Sequence, residues 1–229
     1  MPRNARFLVP GVPHHVTQRG NRREPVFFSN GDYAAYLGLL QDYSRRFVVE
    51  CVAYCLMPNH VHHVVVPTTA DGLHRLFKSV HGRYAQRINR SRNLRGHVWQ
   101  GRFFSSPLDS NYFLNAVRYV ELNPVRAGIV VRAEDHDWSS AATHCHLRND
   151  PVVERIPTSP LLAGIPDWSK WLAAGIAEDS IATLRKHGSQ NLPCGECTFI
   201  THLERVAGRE LQFRTHGGAR RVPSEPDSK

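Results

Sequence analysis

The chain has 229 residues, 41% of them hydrophobic, which is room for one ordinary domain with a smaller appendage and argues against wholesale disorder. No apolar run approaches the length of a membrane span and no apolar segment follows the basic start Met1-Pro2-Arg3, so neither a membrane anchor nor a signal peptide is expected. The net charge is +9, and it is unevenly placed: residues 1–130 hold 17 Lys and Arg against 7 Asp and Glu, whereas residues 131–229 hold 12 against 13.

In chain order, Val12 to Arg19 reads as a first strand with alternating faces. Asn30-Gly31-Asp32 opens a helix in which Tyr33, Tyr36, Leu37, Leu40 and Tyr43 recur at helical spacing as far as Arg46. Phe47 to Leu56 is β-branched and aromatic, a second strand. Met57-Pro58-Asn59 turns it into a third strand, His60 to Val66. Asp71-Gly72 opens a long helix striped by Leu73, Leu76, Phe77, Val80 and Tyr84. Trp99 to Ser105 is a fourth strand, and Asp109 or Ser110 caps a helix that carries Phe113, Leu114, Val117, Tyr119 and Val120. Pro124 disfavours helix at Asn123, so this helix ends or kinks there.

Strand–helix–strand–strand–helix–strand is the ferredoxin-like order, an α+β fold. It places helices on one face of an antiparallel sheet and leaves the other free for a ligand or for further packing. Residues 1–140 form this unit, and 141–167 a connection marked by Pro151, Pro157, Pro160 and Pro166. Residues 168–213 form a small helical region, with helices at Trp168–Ala174, Asp179–Lys186 and Cys194–Ala207 and a stop at Gly208; 214–229 is expected to be a disordered tail. Three roles are open to the helical region: shielding the free sheet face, fixing a ligand or restraining the helix of Tyr119.

The chemistry concentrates at two places. His60 and His62 alternate on one strand, so both imidazoles face the same way and can hold one metal ion, or they are ordinary packing histidines. His63 faces the other side and reads as structural. Tyr119 and Asn123 lie one helical turn apart on one face, supplying a hydroxyl nucleophile and a third, neutral ligand. The competing reading makes Tyr119 a core ring, and Tyr112 is a decoy two turns earlier. A site of two imidazoles and an amide oxygen, with no thiolate, suits Mg²⁺ or Mn²⁺ better than structural zinc. Cys194 and Cys197 with His202 lack a fourth ligand at regular spacing and fit a short packed helix better than a zinc site. Five cysteines without framework spacing point to a reduced, cytoplasmic protein.

Residues 71–105 hold eight basic side chains against the single acid Asp71, with Tyr84, Trp99, Phe103 and Phe104 interleaved. Arginine for phosphates and rings for unstacked bases is the recipe of single-strand binding. Arg83, Arg87, Arg90, Arg95 and Arg102 are candidate DNA contacts on this stretch, with Arg19, Arg22 and Arg23 a second patch after the first strand. A solvated helix face over core aromatics is the alternative, and Tyr84 is assigned to the core.

His60-Val61-His62, Trp99-Gln100-Gly101-Arg102-Phe103 and Tyr119-Val120-Glu121-Leu122-Asn123-Pro124-Val125 resemble the single-tyrosine HUH transposases, in particular their REP-associated branch. Pro13-His14-His15-Val16-Thr17-Gln18-Arg19-Gly20-Asn21 and Val26-Phe27-Phe28 extend the likeness, which runs from about Arg3 to Ser140. The resemblance implies cleavage of single-stranded DNA beside an imperfect hairpin through a 5′-phosphotyrosine and a free 3′-OH. It implies Tyr119 as nucleophile, His60, His62 and Asn123 as ligands, and Mg²⁺ or Mn²⁺ as the metal. The expected partner is a DNA hairpin of the REP kind, the expected place the nucleoid, and the expected state a monomer or a homodimer. Two rivals stand beside it: a hairpin-binding module without chemistry, and a hydrolase using metal-bound water.

Overall fold

The computed structural model describes residues 6–154 and 158–213, so the expected tail at 214–229 and Pro157 lie outside the described residues. Four strands, β1 (His14–Arg19), β2 (Val49–Met57), β3 (His60–Pro67) and β4 (Phe104–Pro107), form one antiparallel sheet in the order β2-β3-β1-β4. Helices α1 (Asn30–Phe47) and α2 (Gly72–Ser91) provide the crossovers of the ferredoxin-like order. They bury Tyr36, Leu40, Leu73, Phe77 and Tyr84 against Val16, Tyr54, Leu56, Val61 and Val65 on one sheet face.

The alternate residues of the same strands, among them Cys55, Met57 and Val64, point to the second face. That face is packed rather than open. Helix α3 (Ser110–Glu121) lays Phe113, Val117 and Val120 on it, its N-terminus held by the Asp109 carboxylate, which accepts from the Tyr112 N–H at 2.8 Å. The chain continues through α4 (Asn123–Arg126), α5 (Ala141–His144), α6 (Pro160–Ala163), α7 (Trp168–Ala173), α8 (Glu178–Gln190) and α9 (Cys197–Ala207). Trp168, Leu172, Ile181 and Leu184 complete the second core. At its centre the Glu121 carboxyl, fully buried at the end of α3, accepts from the Trp168 indole at 2.7 Å, from His144 Nδ1 at 2.6 Å and from the Ser140 hydroxyl. One side chain thus joins α3, α5 and α7. No described helix is long and apolar enough to cross a membrane.

Several boundaries differ from the sequence expectation, the first strand starting at His14 and α8 running on to Gln190, and two of the differences have a clear cause. The fourth strand begins at Phe104 instead of Trp99, because Trp99 turns inward: its indole donates to the His81 carbonyl at 3.1 Å, and Gly101 takes a left-handed φ of 73° that ends any extended run. The last helix begins at Cys197, because Cys194 pairs with Leu108 beyond β4 through Asp109 N–H to Cys194 O and Cys194 N–H to Pro107 O. The helix stops at Gly208 (φ 62°), as expected.

Candidate active site

The β2–β3 turn sets His60 at the start of β3, and the register pairs Thr17 with His62 and Arg19 with His60. His15, Thr17 and Arg19 therefore share the second face with the two histidines. The rings of His60 and His62 stand 5.0 Å apart. His60 Nδ1 is bonded to Asn59 Oδ1 at 2.6 Å, and His62 Nδ1 to His15 Nε2 at 3.0 Å, so the Nε2 of each ring is left for another partner. Burial, with the Arg19 charge beside it, pushes His60 down to about 4. Burial and then the neighbouring imidazoles hold His62 well below its ordinary range. Both rings are neutral at pH 7, the form in which imidazole binds a metal. His63 lies on the opposite face, its Nε2 3.3 Å from the Tyr36 hydroxyl, in the structural position expected of it.

Tyr119 sits on α3 and is 4% exposed, its ring edge-on to those of His62 at 5.6 Å and His15 at 5.8 Å. Its hydroxyl accepts a hydrogen bond from Arg185 Nε of α8 at 3.3 Å. As Pro124 requires, α3 ends at Glu121, but Leu122 keeps near-helical dihedrals and α4 resumes at once, so Asn123 stays one turn from Tyr119. The Asn123 amide nitrogen donates to the Tyr119 carbonyl at 3.4 Å, which turns its Oδ1 to other uses. His60, His62, Tyr119 and Asn123 all line one cleft of about 590 Å³, walled also by Arg126 and Arg185.

Two neutral imidazole nitrogens and an amide oxygen converging on one cleft fit a divalent cation such as Mg²⁺ or Mn²⁺ that keeps open positions for phosphate oxygens. Among the described residues no cluster of three or more His, Cys, Asp or Glu side chains has metal-holding geometry, and Cys194 is buried while Cys197 is exposed. The zinc alternative thus finds no set of ligands.

The candidate DNA contacts separate in space. Arg19 lines the cleft. Arg22 and Arg23 are exposed beside it, on a turn with φ of 54° and 63° that is anchored by Asn59 Nδ2 on the Arg23 carbonyl. Gly20 makes that turn possible, since a Cβ there would stand 2.3 Å from the Glu24 carbonyl oxygen. Arg83 instead borders a groove between α1 and α2 with Arg46, Arg75 and Lys78, across the sheet from the cleft. Arg87, Arg90, Arg95 and Arg102 are exposed and outside the cleft. The interleaved aromatics are corrected: Trp99 and Phe103 join Tyr84 in the core and are not free to stack on bases, while Phe104 reaches the cleft. The sequence reading missed His15, Arg126 and Arg185. His15 was visible as the residue two before Thr17 and four before Arg19 on one strand face. Nothing local marks Arg185, 66 residues beyond Tyr119.

A four-stranded ferredoxin-like sheet with a histidine-lined cleft on one face, closed by a tyrosine-bearing helix, places the chain among α+β proteins of the transposase fold. The model of the IS200-like transposases matches residues 9–123, and the chain belongs to that family. Among solved structures it is similar to a REP-associated tyrosine transposase bound to a REP hairpin, at 20% identity and a TM-score of 0.53, over 69% of this chain and all of that one. It is also similar to a transposase-like protein from Deinococcus radiodurans R1, at 18% identity and a TM-score of 0.38, over 52% of this chain and 96% of that one. No curated protein matches.

Proposed function

We propose that this transposase-family protein cuts and rejoins single-stranded DNA beside hairpins of the REP kind, with Tyr119 as nucleophile and His60, His62 and Asn123 as metal ligands. The observation that carries the reading is the shared cleft: a phenol on α3 and two neutral imidazoles on β3 face one cavity walled by Arg19, Arg126 and Arg185. When bound there, Mg²⁺ or Mn²⁺ would supply Lewis-acid polarisation of the scissile phosphate. Tyr119 Oη attacks phosphorus, the P–O3′ bond breaks, and the strand is held as a 5′-phosphotyrosine with a free 3′-OH. Because that ester keeps the energy of the original phosphodiester, a 3′-OH can reverse the attack and join strands without a nucleotide cofactor. Arg19 and Arg126 offer guanidinium groups to the flanking phosphates. The working site is DNA in the cytoplasm, at the nucleoid.

The test is a denaturing gel of the protein mixed with labelled single-stranded hairpin oligonucleotides and Mn²⁺. A band carrying protein and DNA together, lost in Tyr119→Phe and in chelator, is the expected result. Cleavage without that band would replace this reading with water-based hydrolysis, and binding alone would replace it with a hairpin-binding module.

A further inference from the structure

We propose that Arg185 is a further catalytic residue, supplied by the C-terminal helical region, that holds the Tyr119 hydroxyl and meets the negative charge gathering there and on the scissile phosphate; this rests on Tyr119 being the nucleophile.

The geometry is specific. Arg185 Nε lies 3.3 Å from Tyr119 Oη, a direct contact to the reacting oxygen, while its guanidinium carbon stands over the ring at 5.9 Å from the centroid, the outer reach of a cation–π contact. Among the described residues no carboxylate pairs with Arg185, although Arg75, Arg126, Arg132 and Arg148 all have acid partners. Glu178 acts on its charge from the same helix but is itself paired with Arg126, and Arg185 walls the cleft.

The helix beneath it is fixed to the helix that bears the tyrosine. Ile181, Leu184 and Gly188 of α8 are buried. Arg126 just beyond α3 reaches Glu178 at the start of α8 at 3.0 Å. Arg118, one residue before Tyr119, donates to the Gly175 carbonyl at 2.8 Å and covers Trp171 at 4.2 Å. The Arg126–Glu178 pair touches α8 itself, and the two Arg118 contacts hold α7 and the Gly175 turn that leads into α8, so Arg185 meets the phenol from an anchored helix. Arg185 lies beyond residues 9–123, the span of the family match, so this part of the chemistry belongs to the region that follows the shared core.

In the cleavage step the P–Oη bond forms as the P–O3′ bond breaks. The phenol proton leaves to solvent and the departing 3′ oxygen takes a proton from water, so no net proton is consumed. Arg185 stays protonated throughout. Oη is neutral in the phenol and bridging in the ester and carries most negative charge between them, so a preformed donor there lowers the barrier in both directions, and losing one such donor costs about 100-fold in rate.

The experiment uses the full chain as wild type, Arg185→Ala, Arg185→Lys and Lys186→Ala, the last removing a charge from the same helix. Three quantities are read: the initial rate of covalent adduct formation on a labelled hairpin oligonucleotide with Mn²⁺, hairpin affinity by fluorescence anisotropy in chelator, and Tm. Arg185→Ala is expected to slow adduct formation about 100-fold with affinity and Tm little changed. Added guanidinium ion should restore part of that rate, Arg185→Lys should fall between, and Lys186→Ala should match wild type. An Arg185→Ala rate equal to wild type overturns the assignment. So does a slow variant that also loses Tm and shows no guanidinium rescue, since Arg185 would then be an anchor of α8. A wild-type protein that binds hairpins without forming any adduct overturns the nucleophile reading, and this assignment falls with it.

Discussion

His15 and His62 lie on neighbouring strands with their rings 10° from parallel, and the Nε2 of His15 is 3.0 Å from the Nδ1 of His62. One of the two nitrogens carries the shared proton. If His62 is to give its Nε2 lone pair to a metal, that proton sits on its Nδ1 and His15 accepts it. His15 then carries its own proton on Nδ1, a buried atom without a hydrogen-bond partner among the described residues.

Replacing His15 by Phe keeps a ring and removes the acceptor. Mn²⁺ affinity is expected to fall about 10- to 100-fold, the usual cost of losing a partner that orients a ligand histidine. Titration calorimetry on the apo protein measures it without reference to turnover. An unchanged affinity would mean that His62 does not depend on His15 for its orientation.

Tyr112 should be dispensable. It is half-buried on α3 beside the second core and does not line the cleft. Tyr112→Phe is expected to form the protein–DNA adduct at the wild-type rate, while Tyr119→Phe forms none. An adduct that survives in Tyr119→Phe and disappears in Tyr112→Phe would move the nucleophile to the other tyrosine.

Glu121 should dominate the stability of the second core. Glu121→Ala strands the Trp168 indole, His144 Nδ1 and the Ser140 hydroxyl without their acceptor, and a loss of about 3 kcal/mol or more is expected. Glu121→Gln keeps one carbonyl oxygen and should cost less. Urea denaturation read by tryptophan fluorescence reports both, because Trp168 is the partner.

Acid should weaken the fold well above the range where carboxylates protonate. Burial pushes His14 down to about 4 and His81 down to about 3, whereas unfolded histidine titrates near 6.5. Between those values the unfolded chain binds protons that the folded chain refuses. Stability is therefore full above about 6.5 and falls as the pH drops toward 4 and then 3. The urea midpoint at pH 5 is expected below that at pH 7.5, and equal midpoints would contradict the burial of these rings as neutral groups.

The α+β order, the positions of α1, α2, β2 and β3, and the end of α3 before Pro124 were legible because they rest on local signals: periodicity of apolar residues, a turn, a cap and a proline. The one-face placement of His60 and His62, the opposite placement of His63, and the one-turn spacing of Tyr119 and Asn123 follow from strand and helix periods alone. The start of β4 was misread because Trp99 is as good a strand former as a core ring, and only the His81 carbonyl decided which it became. The cations of α2 were read as DNA contacts from their excess of charge and the aromatics between them, and strand and helix periods could not show that the sheet lies between Arg83 and the cleft.

What the sequence determined by itself is the family's motif set and the local geometry of each half of the site. What the tertiary structure decided is which halves meet. The strand register brings His15 to His62, the packing of α3 on the second sheet face brings Tyr119 to both, and the docking of α8 brings Arg185 to the phenol. These encounters join residues 47 to 104 positions apart, and no local propensity encodes them. They exist because burying the second face of the sheet under α3 and the C-terminal helices leaves a single arrangement in which the apolar stripes are covered and the polar ends of their neighbours converge.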